Sequence, residues 1–200
     1  MEFDETGVRV DGASMSWVEL EEVDIQTTDQ GPFVDDVRWV LRSSNRTTLT
    51  IPSETDGMDR LLQRLQQIPG FDNEAVIRAA GSTDNAVFPC WRRRTVTLRN
   101  ERNGPDVRWL GAYVDATGAL HIDGHDLGPG TAPVSDDGEY EWFKTVAAGD
   151  VPQLLTVLGA QPGDDVLDVL AASWTGPRSY DLERALRTSG IPVQLFVWGG

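Results

Sequence analysis

Hydrophobic positions change period twice along this chain, and the changes divide it into elements. Gly7–Val10 alternates and runs into Asp11-Gly12, a favoured tight-turn pair, which predicts a hairpin. Met15–Val23 places apolar residues at Met15, Val18 and Leu20 around Trp17, a pattern open to a short helical turn or to the start of a strand. Val23–Thr28 alternates as a half-buried strand does, Asp29–Pro32 reads as a turn, and Val34–Leu41 puts Val37, Trp39 and Leu41 on one strand face. Thr47–Ile51 is a further β-rich run. The period then lengthens. Met58, Leu61, Leu62, Leu65 and Ile68 mark one face of a helix that Pro69-Gly70 stops. Asp72 is the expected N-cap of a second helix carrying Ala75, Val76 and Ala79. Ala86–Trp91 is a short apolar run ending in three arginines.

The second half restarts the strand pattern. Thr95–Leu98, Val107–Val114 and Ala119–Ile122 are predicted strands, with Trp109 and Tyr113 on one face and a turn at Ala116–Gly118. Gly124–Gly138 reads as loop, and Tyr140–Val146 as a strand. Helices are predicted over Val151–Leu158, Val166–Ala172 and Asp181–Thr188, and a closing strand over Val193–Trp198. Strands then helices, in both halves, predict an α+β fold of two small units, each with antiparallel strands followed by helices. The predicted units are 1–94, a sheet plus two helices, and 95–200, with strands, three helices and a closing strand. The polar Arg94–Pro105 segment is the expected boundary.

Composition narrows the function classes. The chain carries 17 Lys+Arg against 32 Asp+Glu, a formal charge of −15. The charge is shared: residues 1–94 carry 10 basic and 17 acidic side chains and the remainder 7 and 15, giving −7 and −8. General nucleic-acid binding is excluded, because phosphate neutralisation needs clustered Lys and Arg. Cys90 is the single cysteine, so neither an internal disulfide nor a cysteine-based zinc site is available. An acidic N-terminus without an apolar stretch and the lack of any long apolar run predict a cytoplasmic protein with no membrane partner. Sixteen of the 17 basic residues are Arg, which fits GC-rich bacterial coding.

Few motifs carry chemistry. His121 and His125 alternate with Asp123 along one run, and on a continuous strand all three would face one way. They constitute the alternative reading, a metal-dependent enzyme or regulator, although Gly124 argues against an unbroken strand. Cys90, between Phe88-Pro89 and Trp91, reads as a packed small hydrophobe, and Arg92–Arg94 as charges pairing with local acids. No phosphate loop or nucleophile elbow occurs, and no catalytic residue or cofactor is expected. What stands out is acids beside aromatics. Glu21, Glu22, Asp35 and Asp36 in the first half, and Asp136, Asp137, Glu139 and Glu141 around Trp142 in the second, are the candidate partner-binding residues. An acidic rim around an aromatic anchor suits a basic protein partner.

Four segments, Ser16–Leu20, Thr27–Phe33, Asp36–Leu41 and Pro69–Ile77, resemble small uncharacterised bacterial proteins, and the strand-rich start followed by helix resembles bacterial pleckstrin-homology-like domains. The resemblance spans about Met15–Trp91 and implies no particular activity. Glu139–Val146 followed by a Leu-rich helix is similar to bacterial toxin-immunity proteins, which are small, often acidic and non-enzymatic. That resemblance implies neutralisation of a basic toxin by binding. A housekeeping interaction module is the third expectation, and oligomeric state is left open.

Overall fold

The computed structural model describes residues 1–30, 36–133 and 135–199. It is an α+β fold with antiparallel sheets of three, four and five strands. The chain divides into two compact units, Met1–Arg93 with Asp115–Thr117, and Arg94–Val114 with Gly118–Gly200. Among the described residues no helix is long and apolar enough to cross a membrane.

In the first unit, β1 (Glu2–Phe3), β2 (Gly7–Val10) and β3 (Ala13–Ser16) make a small sheet, β2 and β3 joined through the Asp11-Gly12 turn. The chain then turns through Trp17 into β4 (Leu20–Thr27), so Met15–Val23 is a strand end, a turn and a new strand. β4, β5 (Val37–Ser43), β6 (Thr48–Pro52) and β7 (Ala86–Arg92) form a sheet in the order β6-β5-β4-β7. The strand expected to start at Val34 begins at Val37; Val34, Asp35 and the second half of the Asp29–Pro32 turn lie outside the described residues.

Helix α1 (Met58–Leu65) buries Met58, Leu61 and Leu65, and α2 (Asn73–Ala80) buries Ala75 and Ala79. Asp72 caps α2 by accepting from the Ala75 N–H. The apolar run after α2 is β7, which returns to pair with β4, so this unit ends on a strand that completes its sheet.

The second unit is a meander, β8 (Thr95–Asn103), β9 (Asp106–Val114), β10 (Leu120–Leu127) and β11 (Glu139–Val146). Helices α3 (Val151–Val157), α4 (Val166–Ser173) and α5 (Arg178–Thr188) follow. The last strand, β12 (Val193–Gly199), pairs with β11 at the sheet edge. Leu98, Leu110, Ala112, Leu120, Ile122, Trp142 and Val146 face the helices and pack on Leu154, Leu155, Leu167, Leu170, Leu182 and Leu186.

The division between the units falls between Arg93 and Arg94, at the start of the expected Arg94–Pro105 segment, while residues 100–103 of that segment belong to β8, whose hairpin with β9 turns at Asn103–Asp106. One expectation is corrected here. Gly124 does not break a strand. β10 continues through it to Leu127, because on the helix side the Trp142 ring occupies the space where a Cβ at 124 would lie. A glycine in a strand interior often marks such a close approach.

Candidate functional site

Cross-strand register decides what the second sheet displays on the face away from its helices. Residues directly opposite one another across antiparallel strands share a face. One rung therefore runs Asn100, Trp109, His125, Glu141 and Trp198 from β8 to β12. The next holds Thr97, Gly111, Asp123, Phe143 and Phe196, and the third Thr95, Tyr113, His121, Thr145 and Gln194. Beyond the Trp109 rung lie Arg102, Val107, Leu127 and Glu139. On β9–β12 this face holds three carboxylates and neither Lys nor Arg; Arg102 stands at the far edge, on β8.

The face is aromatic as well as acidic. Trp198 and Phe196 are 68% and 65% exposed, and Leu195 and Val197 beside them are also exposed. Four consecutive exposed apolar residues on an edge strand are unusual, since edges are normally guarded by charge. Phe143 meets Phe196 with ring centroids 6.0 Å apart, and Tyr113 stacks on His121 at 4.7 Å. Trp109 is half-buried and its ring reaches over Gly111, where any side chain would collide with it. The other five tryptophans, Trp17, Trp39, Trp91, Trp142 and Trp174, are buried.

At the centre, His125 Nε2 lies 2.7 Å from Glu139 Oε1 and 3.8 Å from Glu141 Oε1. Among the described residues neither glutamate pairs with an Arg or Lys, and His125 is the ionisable side chain both approach. The anticipated grouping of His121, Asp123 and His125 does share one strand face. It does not form a single donor set, because four residues of strand separate the histidines by about 13 Å. His121 is engaged with Tyr113 and with Thr145 Oγ1 at 3.3 Å.

The remaining candidates fall elsewhere. Glu22 lies 3.0 Å from Arg42 and 3.5 Å from Arg92, and Glu21 lies 3.8 Å from Arg93, so these acids serve internal ion pairs. Their neighbour Asp24 is 1% exposed and sits between the same two arginines, 2.6 Å from Arg92 Nη2. Asp36 precedes β5, where its carbonyl accepts from the Thr28 N–H. Asp35 is outside the described residues. Asp136 is exposed in the loop before β11. Asp137 accepts from Ser135 Oγ and the Glu139 N–H, and these bonds hold its carboxyl below the usual range. Trp142, expected as the anchor, is a correction. It is 6% exposed on the helix side over Gly124, with Lys144 Nζ 4.1 Å from its ring centroid. Its place as an exposed aromatic is taken by Trp198, directly across from Glu141.

Compared with protein-family models, curated proteins and solved structures, the chain matches none.

The other chemically suggestive groups are structural. Cys90 is buried, and burial, with Asp24 and Asp72 adding to it, pushes its thiol up to about 11. A thiol at that value holds almost no thiolate near neutrality and is inert. The three arginines point to separate partners. Arg92 pairs with Glu22 and Asp24, Arg93 donates to the Val18 and Leu20 carbonyls, and Arg94 pairs with Asp165 and Asp168. Asp165 also caps α4. On the helix side of the second sheet, Arg99 is buried with Glu183 at 2.8 Å and Tyr180 beneath its guanidinium at 3.9 Å. Nearby, burial raises the Asp126 carboxyl and lowers the Lys144 ammonium.

Sequence reasoning missed Phe143, Phe196 and Trp198 as surface residues. The alternation Gln194, Phe196, Trp198 was readable, but not which side of the strand would lack a cover.

Proposed function

We propose that this chain is a non-enzymatic acidic binding protein, an immunity protein that neutralises a basic toxin by covering its active surface. The observation that carries the reading is the open face of the second sheet. On strands β9–β12 that face combines exposed aromatics with Asp123, Glu139 and Glu141, and none of the residues it displays there is Lys or Arg. Charge complementarity selects a cationic occupant. Carboxylates steer a basic surface into place and resist a like-charged one. The aromatic rings add what a guanidinium or ammonium favours, a π face within about 6 Å, so Trp198 directly across from Glu141 suits an inserted Arg or Lys. Large rigid side chains such as Trp198 and Phe196 also supply anchoring area at low entropic cost. β12 itself carries no charged residue and leaves one edge open, so an extended segment of the partner can add to the sheet there.

Occlusion requires no chemistry from this chain, only a fit tight enough to keep substrate out. The test is co-expression with the protein encoded by the adjacent gene. The expected result is a stable one-to-one complex and protection of the host cell, both lost in the Trp198→Ala/Phe196→Ala variant, whose fold is checked by circular dichroism. No complex, or full protection by that variant, would overturn the reading.

A further inference from the structure

We propose that His125, Glu139 and Glu141 form a binding site for a divalent transition-metal ion of the zinc class. This inference does not depend on the toxin reading. Three features support it together. The first is donor geometry: one imidazole nitrogen and two carboxylate oxygens all lie within 4.8 Å of one another. An ion bound at about 2.1 Å from each donor needs them roughly 3–4 Å apart, so small side-chain rotations suffice. The second is rigidity. His125 and Glu141 face each other across β10 and β11, and Glu139 is the next residue along the same face. Sites built on paired strands hold their ligands better than sites on loops.

The third is an electrostatic imbalance. Two carboxylates converge on one imidazole, which brings at most one positive charge, and no Arg or Lys pairs with either glutamate among the described residues. A bound cation would complete that balance. The donor set then selects the class of ion. One nitrogen and two oxygens are too few and too mixed for calcium, which takes six to eight oxygens, and poorly suited to the near-octahedral oxygen shell of magnesium. Imidazole with carboxylate suits zinc and its neighbours, and three protein ligands leave coordination positions open to water or a partner. Asp123, on the adjacent rung, lies outside this set of three.

The experiment is titration of Zn²⁺ into the full chain, followed by calorimetry and by the visible spectrum of Co²⁺ at the same site. One saturable site per chain is expected. His125→Gln and Glu141→Gln should each weaken it at least about tenfold, by analogy with the loss when groups supporting a metal are removed, while Asp123→Asn stays within about twofold. Unchanged circular dichroism and melting temperature in all three variants would show that the fold is not the cause. An acidic chain also attracts cations without a site. Weak binding at several equivalents, a site indifferent to His125→Gln, or no saturation by about 1 mM Zn²⁺ would overturn the proposal.

Discussion

Strands β4 and β11 look alike in sequence, each an alternating run dense in carboxylates beside aromatic residues, yet the fold uses them in opposite ways. On β4, Glu22 and Asp24 meet Arg42 and Arg92, donated by the strands on either side, and their charge is neutralised within the first unit. On β11, Glu139 and Glu141 meet His125 from β10 and, among the described residues, no Arg or Lys, while β12 contributes Gln194, Phe196 and Trp198 to that face and no cation. The difference lies in what the neighbouring strands bring. A carboxylate-rich strand becomes an internal tie when its neighbours carry arginine, and a charged display when they carry aromatics. The −15 net charge is therefore unevenly meaningful: part is consumed inside the first unit, and part is presented on one face of the second.

Substituting matched residues should break this contrast if it is wrong. The largest effect is expected for tryptophans on the two faces of the second sheet. Trp142→Ala empties a core site and should cost about 3–5 kcal/mol in denaturant unfolding, whereas Trp198→Ala should change stability by no more than about 0.5 kcal/mol. Similar losses at both positions would mean that Trp198 is also a packing residue.

The carboxylates come next. Asp24→Asn leaves Arg42 and Arg92 without their buried partner. Because both guanidiniums reach solvent, the cost should be about 1–3 kcal/mol, below that of a fully buried pair. Glu141→Gln should stay within about 0.5 kcal/mol, since among the described residues it has no ion pair to an arginine or lysine to lose.

The smallest effect concerns pH. Burial raises the Asp126 carboxyl above its unfolded value near 3.9, so the folded state holds the proton more tightly. Its contribution to stability is thus present at low pH and declines as pH rises from about 4 through the raised value. Asp126→Asn should remove that decline and raise the melting temperature at pH 7; a lowered melting temperature would show that the ionised carboxylate is favourably paired.

Much of the fold was legible because it depends on local periodicity. The alternation at Val37, Trp39 and Leu41, the heptad-like spacing from Met58 to Ile68 and the cap at Asp72 each determine a local element regardless of what it packs against. Gly124 misled because a glycine within a strand reads as a break, and only the ring of Trp142, 18 residues later and across the ladder, explains it. The candidate site was legible in half. Glu139 and Glu141 were recognisable as acids near aromatics, but Trp142 and Trp198 differ only in which face of the sheet they occupy, and that is set by where α3–α5 pack. Glu21 and Glu22 carried the same local signal as Glu139 and Glu141. Their arginines come from positions 20 to more than 70 residues away, a distance no local pattern bridges.

The most direct test compares the two strands as binding surfaces. Affinity for the protein encoded by the adjacent gene would be measured by calorimetry for the wild type, for Glu139→Gln/Glu141→Gln and for Glu21→Gln/Glu22→Gln, at low and physiological salt. Removal of both β11 charges should weaken binding at least about tenfold and flatten its salt dependence, as expected for desolvated interfacial charge, while the β4 double variant stays within about twofold. Equal losses from the two doubles, or a loss confined to β4, would contradict the assignment of the binding face to the second sheet.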